Sequence, residues 1–151
     1  MQTPNENVTS DERLMAMLSH LSILFSGIIL PIILWAVQKD KSKFVRYHSL
    51  QAIFFHIAYI GILVLVIILL AVFMIIFGVG LGAMTSNTKS DPGAFPIVIL
   101  ILVFVFYAAI FISIFGAMGY EIYLAIKSYN GAYTKIPIIG NIIYRKVYQE
   151  S

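Results

Sequence analysis

The apolar residues fall into three long runs, and this pattern predicts helices that cross a membrane. Residues 14–38, 47–84 and 95–120 contain no lysine, arginine, aspartate or glutamate. Uncharged apolar stretches of about 18 or more residues are typical of transmembrane helices. At 1.5 Å per residue the first run would be about 37 Å long, enough for one crossing of a hydrocarbon core about 30 Å thick. We therefore predict an all-α membrane protein with three transmembrane helices.

The polar and helix-breaking residues predict how these helices begin and how they are joined. Thr9 and Glu12 have the spacing of a capping box, which indicates a helix start just before the first run. Gly27 and Pro31 interrupt that run, so we expect the first span to be kinked. Residues 85–94 are rich in turn-forming types, which predicts that the second and third runs form a long helical hairpin with its tip there.

The C-terminal segment has a different character from the three runs. Residues 135–146 contain apolar pairs that Pro137 and Gly140 interrupt, and basic residues follow. Such a segment is too short to span and fits one that lies at the membrane interface. The chain is therefore divided into a polar N-terminal tail (1–13), a three-span transmembrane domain (14–128) and an amphipathic interfacial tail (129–151).

Composition excludes several classes of protein. Hydrophobic residues make up 60% of the chain and charged residues 11%, whereas soluble domains carry about 25% charged residues. A soluble enzyme, a disordered protein and a nucleic-acid-binding protein are thereby excluded. The absence of cysteine rules out disulfides and thiolate metal sites. No serine stands in a nucleophile-elbow motif, so we predict a non-enzymatic protein without a cofactor.

The distribution of basic residues predicts an orientation in the membrane. Eight of the ten fall on one side of the predicted spans, against Arg13 and Lys89 on the other. Because cytoplasmic segments are enriched in lysine and arginine, we expect an outside N-terminus and a cytoplasmic C-terminus in a bacterial plasma membrane. Basic residues at the membrane surface either fix this orientation or bind an acidic lipid or partner; they are Lys39, Lys41, Lys43, Lys135, Arg145 and Lys146.

Small residues recur at four-residue spacing in the two hairpin arms. This spacing lets helix backbones approach closely in a membrane. We expect it to serve packing between the two arms, with a homodimer contact as the alternative. The residues are Gly78, Gly82, Ala109, Ser113 and Ala117.

Glu121 directly follows the third run, and further apolar residues come after it. This carboxylate is the strongest candidate for a functional side chain. Equal distances from the hairpin tip place it near His56 on the other arm, so we predict contact between the two. The polar cluster would also include Arg46, His48 and Gln51. It would act either as a structural clasp or as a polar vestibule for a substrate or a proton.

Histidines elsewhere do not predict a metal or haem site. His48 and His56 are eight residues apart, about 12 Å along a helix, which is too far to share one ion. Haem ligation would require His20 and His56 to lie at one depth, and the predicted spans separate them by several turns. We instead expect His20 to form a hydrogen-bonding cluster with Ser19 and Ser22.

Several segments together resemble a known family. They are Leu-Ser-His-Leu-Ser at 18–22, Ile-Leu-Trp at 33–35, Phe-Val-Arg-Tyr-His-Ser-Leu-Gln-Ala at 44–52, Ala-Ile-Lys at 125–127, Asn-Gly at 130–131 and Ile-Pro at 136–137. The chain resembles small bacterial membrane proteins of unknown function that are similar to the chloroplast inner-envelope protein-import (Tic) subunit, a channel candidate. The resemblance implies a transport or translocon-type channel or accessory subunit, in contact with the lipid bilayer.

Such a protein would work as a homo-oligomer or with a larger membrane-protein partner, because three helices cannot enclose a wide pore. The alternative is an immunity, stress or regulatory protein that acts by binding another membrane protein.

Overall fold

The computed structural model describes residues 7–86 and 94–149, with side chains for 7–80, 82 and 97–149. In the described residues all regular structure is helical, as predicted. We number the helices α1 (Ser10–Leu21), α2 (Ile29–Gln38), α3 (Lys43–Ser86), α4 (Ala94–Tyr129) and α5 (Ile139–Tyr148), with a short 3₁₀ turn at Ser22–Leu24.

Two of these helices are long and apolar enough to cross a membrane. The qualifying segments are Lys43–Gly80 in α3 and Ile97–Tyr129 in α4, with mean hydropathies of 3.5 and 3.2 over their most apolar windows. Neither window is buried by the rest of the protein. The number of candidate spans is therefore two, and the prediction of three spans is wrong.

The error lies in the first apolar run, which forms two short helices. The Ser22 carbonyl accepts backbone N–H groups from Phe25, Ser26 and Gly27, which closes the end of α1. Gly27 then adopts a φ of 56°, a left-handed conformation that glycine enters without a Cβ clash. Pro31 lies in the first turn of α2, where a missing N–H removes no helix hydrogen bond.

The two short helices contact each other, and the second runs back toward the start of the first. The Gln38 amide at the end of α2 lies 3.2 Å from the Met15 sulfur in α1. At 12 and 10 residues, α1 and α2 are about 18 and 15 Å long, roughly half of the hydrocarbon thickness. The kink expected at Gly27 and Pro31 is thus a reversal of the chain.

The described residues form two compact units. The first unit contains 7–59 and 116–149, and the second contains the described part of 60–115. This division differs from the one expected along the chain, because the C-terminal segment belongs to the same unit as α1 and α2.

The second unit consists of the two hairpin arms, 60–86 of α3 and 94–115 of α4. Each arm is longer than the roughly 30 Å hydrocarbon core, at about 40 and 33 Å. A cavity of about 260 Å³ lies between them, lined by Ile67, Leu70, Ala71, Val103, Phe106, Tyr107 and Ile110. This lining shows that the two arms lie side by side. The tip predicted at 85–94 lies largely outside the described residues.

Candidate functional site

The start of α1 is fixed by the capping box that the sequence predicts. The Thr9 backbone N–H donates to the Glu12 carboxylate at 2.8 Å, and the Glu12 N–H donates to the Thr9 hydroxyl at 3.3 Å. Burial raises the pKa of Glu12, but hydrogen bonds from Ser42 and Thr9 outweigh it and leave the pKa below its ordinary value. The Ser42 contact ties the start of α1 to the loop that precedes α3.

The N-terminal residues of this unit lie beside the basic loop. Asn7, Val8 and Glu12 line a cavity of about 360 Å³ together with residues 41–44. Arg13 lies against Gly131, since a Cβ built on Gly131 would be 3.3 Å from the Arg13 Nε. The prediction that the N-terminus and the basic loop lie on opposite faces is therefore wrong. The chain reversal at Gly27 is the physical reason, because it replaces a crossing by a return.

Three ionisable side chains from three helices form a continuous buried network, which we call the Glu–His–His chain. His20 of α1 lies between Glu121 of α4 and His48 of α3. The His20 Nδ1 is 2.7 Å from the Glu121 Oε2, and the His20 Nε2 is 3.1 Å from the His48 Nδ1. Glu121 and His20 are 0% exposed and His48 is 1% exposed. Both nitrogens of the central imidazole are therefore used.

Serine hydroxyls support this network where α1 meets α3. The Ser19 and Ser49 hydroxyls are 2.8 Å apart, and the Ser22 hydroxyl donates to the Ser19 carbonyl at 2.8 Å. All three serines are buried. Ser19, His20 and Ser22 were expected to form a separate polar cluster, and the structure joins them to Glu121.

Among the described residues, no hydrogen bond joins Glu121 to His56, the pair that the sequence predicts to be in contact. The His56 Nδ1 donates to the Ala52 carbonyl at 2.6 Å, within α3. Neither the His56 Nε2 nor the Glu121 Oε1 has a hydrogen-bond partner among the described residues, so the two are not bonded. Arg46 does not pair with Glu121 either in the described part of the chain. His20 of α1 is the observed partner of Glu121 within the first unit.

Gln51 belongs to a second polar contact, which fixes the segment after α4. Its Oε1 accepts the Ile136 backbone N–H at 2.8 Å, and its Nε2 donates to the Thr134 carbonyl at 3.1 Å. Gly140 packs against this contact, since a Cβ there would lie 2.8 Å from the Lys135 Cα and 2.9 Å from the Gln51 Oε1. Gln51 was expected in the cluster around Glu121, and the structure gives it this separate role.

The tail helix α5 packs on the protein through one of its faces. Ile143, Tyr144 and Val147 are buried against Tyr47 of α3. The Lys135 ammonium lies 4.4 Å from the centre of the Tyr144 ring, a cation–π contact. The Lys43 ammonium likewise lies 5.8 Å from the centre of the Tyr148 ring.

The predicted packing of small residues between the arms does not occur at the glycines. A Cβ built on Gly78 or Gly82 would meet nothing within 4 Å. Ala109 and Ser113 are exposed, and the Ser113 hydroxyl donates to the Ile110 carbonyl in its own helix. Bulky side chains such as Phe106 line the space between the arms instead. Of these five residues only Ala117, in the first unit, is buried.

The structure shows no metal centre in the part of the chain that it describes. No group of three or more histidine, cysteine, aspartate or glutamate residues there could hold a metal ion. In the Glu–His–His chain, both ring nitrogens of His20 and the Nδ1 of His48 form hydrogen bonds within the network. What this arrangement can do chemically is bind and relay a proton.

Comparison with known proteins places the chain in a family. Residues 11–143 match MamF/MmsF, described as the magnetosome magnetite crystal formation protein family. Comparisons with curated proteins and with solved structures find no match. The expected resemblance is thus confirmed only as membership of a small membrane-protein family, and nothing supports the similarity to the Tic subunit. Because the match extends over most of the chain's length, this chain belongs to the MamF/MmsF family.

Proposed function

We propose that this chain is an integral, non-enzymatic membrane protein that takes part in the formation of magnetite crystals. The observation that carries this proposal is the family match over residues 11–143. Two apolar helices of spanning length support the membrane location. A transport or channel role has no support in the comparisons, and we do not propose it.

The exposed surface supports an action through contacts with lipid and with other membrane proteins. Both arms carry large apolar side chains that are more than half exposed, such as Ile62, Ile75, Leu100 and Phe104, which is typical of helices in lipid or in a membrane-protein interface. The short helix α2 also exposes Ile29, Ile33 and Val37. We infer that α2 enters the membrane without crossing it and that the protein acts as a homo-oligomer or with a larger partner.

Complementation tests the proposed function directly. We expect the chain to restore normal crystal size when it is expressed in a magnetite-forming bacterium that lacks its own family member. Electron microscopy measures the crystal-size distribution, and a fluorescent fusion shows whether the protein reaches the crystal-bearing membranes. The empty vector is the control. A fusion that reaches these membranes while crystals stay as small as in the deletion strain would overturn the proposal.

The side of the membrane that each terminus faces can be measured by cysteine labelling. We propose that the N-terminal residues, the basic loop and the tail all face the cytoplasm, because nearly all basic residues then lie on that side. The chain has no cysteine, so Asn7→Cys and Lys146→Cys each provide a single reactive thiol. Both should resist a membrane-impermeant maleimide in intact cells and react after permeabilisation.

A cysteine in the linker between the two spans is the positive control for labelling from outside. Labelling of Asn7→Cys but not of Lys146→Cys in intact cells would restore the three-span arrangement and contradict the chain reversal at Gly27.

A further inference from the structure

The Glu–His–His chain buries a carboxylate whose charge needs compensation. Glu121 is fully buried, and in the described residues its ion-pair partner is His20, with no lysine or arginine beside it. An ionised carboxylate without a compensating charge is costly in an apolar environment. A neutral His20 gives a hydrogen bond but leaves one net negative charge inside the protein. One further proton on the network removes that charge.

The hydrogen bonds define where such a proton can enter. With Glu121 ionised, the His20 Nδ1–H donates to its Oε2, so the Nε2 of a neutral His20 accepts from the His48 Nδ1–H. The His48 Nε2 is then an unprotonated acceptor. It is buried and has no hydrogen-bond partner among the described residues, although the Ala132 backbone lies close to this imidazole. The His48 Nε2 therefore ends the network on its α3 side, beside the Ala132 backbone.

We propose that the Glu–His–His chain is a proton-binding site that takes up one proton at the His48 Nε2 and holds the charge on His20. When the Nε2–H bond forms on His48, the Nδ1–H bond of His48 breaks and its proton moves to the His20 Nε2. His20 becomes an imidazolium that donates to Glu121 and to His48. His48 stays neutral and changes from the Nδ1–H to the Nε2–H tautomer. The ligand is a proton, and the network passes from one net negative charge to none.

The other ionisable groups that face the network are phenols. The rings of Tyr47 on α3 and Tyr133 after α4 have their centres 5.1 and 6.4 Å from the His48 ring. Tyr120 adjoins Glu121 on α4. Phenols of this kind are neutral near pH 7. Among the described groups around the network, the two imidazoles and the carboxylate are therefore the ones that exchange a proton in this range.

Nitrogen NMR of the full chain in lipid nanodiscs tests the proposal without a mutation. The protein labelled with ¹⁵N-histidine has three imidazoles, and His56 serves as an internal reference because its Nδ1–H is held by Ala52. As the pH falls from 9 to 5, the His20 signals should become those of an imidazolium. In the same step His48 should change tautomer and remain neutral. Charging of His48 instead of His20, or a His48 tautomer that stays fixed, would overturn the proposal.

Removing the carboxylate charge provides a second readout. In Glu121→Gln the imidazolium signals of His20 should appear only at a lower pH than in the unaltered chain, because the neighbouring negative charge is gone. An unchanged transition would show that the Glu121 charge does not stabilise the proton on His20 and would overturn the proposal. Should this variant fail to fold, the measurement on the unaltered chain still decides the matter. None of these outcomes depends on crystal formation, so failure here leaves the proposed function standing.

Discussion

Replacing His20 by alanine should lower the free energy of unfolding by about 3–5 kcal/mol, the range for breaking a buried ion pair. The change leaves Glu121 fully buried without the ring nitrogen that lies 2.7 Å from its Oε2. The carboxylate must then stay charged without a partner or take up a proton. The loss of the imidazole also opens a cavity between α1, α3 and α4. Unfolding in mild detergent by titration with dodecyl sulfate, followed by circular dichroism, measures the loss.

A double-mutant cycle separates the lost pair from the lost volume. In a Glu121→Gln background, His20→Ala should lower the free energy of unfolding by a smaller amount, because burying an unpaired amide carries a smaller penalty than burying an unpaired carboxylate. Equal losses in the two backgrounds would mean that the pair contributes nothing beyond packing. That result would contradict the role we give to Glu121.

Gly140→Ala should lower the free energy of unfolding by about 1–3 kcal/mol, the usual cost of forcing a methyl group into a packed site. The added Cβ would lie 2.8 Å from the Lys135 Cα, and backbone cannot swing away as a flexible side chain can. It would also press on the Gln51 Oε1, which accepts the Ile136 N–H. The same detergent titration measures this change.

Gly119→Ala is the matched control for this prediction. Gly119 lies in α4 of the same unit, and a Cβ there would meet nothing within 4 Å. Because alanine favours a helix over glycine by up to about 1 kcal/mol, this variant should be neutral or slightly more stable. A similar loss in both variants would show that Gly140 is not specially confined.

Local signals in the sequence identified most of the helical structure. The length of the second and third apolar runs is enough to predict two long helices, and the Thr9–Glu12 spacing is enough to predict the cap of α1. Each of these features depends on residues that are neighbours along the chain. That is why they could be predicted without knowledge of the tertiary fold.

Hydropathy alone does not decide whether the first apolar run forms one membrane span or two short helices. Its length of 25 residues permits a span, but Gly27 offers a left-handed turn and the chain turns back there. Ser19, His20 and Ser22 were the available signal, since buried polar residues find partners within the protein rather than in lipid.

The composition of the candidate site was predicted better than its pairing. Glu121 and His48 were both placed in a polar cluster, and both lie in the Glu–His–His chain. The observed partner of Glu121 is His20 rather than the expected His56. Counting residues from the hairpin tip compares only α3 with α4, so it could not predict a contact with α1. His20 is 101 residues from Glu121 in sequence, so no local pattern joins them.

The return of α2 toward the start of α1 also has a practical consequence for protein engineering. In the two-span arrangement that we propose, the described start and end of the chain lie on one face of the membrane, so two copies can be joined head to tail by a soluble linker alone. A protein with three spans would need an additional transmembrane segment between the copies. A covalent tandem in which only one copy carries a given substitution is therefore accessible, and it allows the contribution of each protomer in an assembly to be counted.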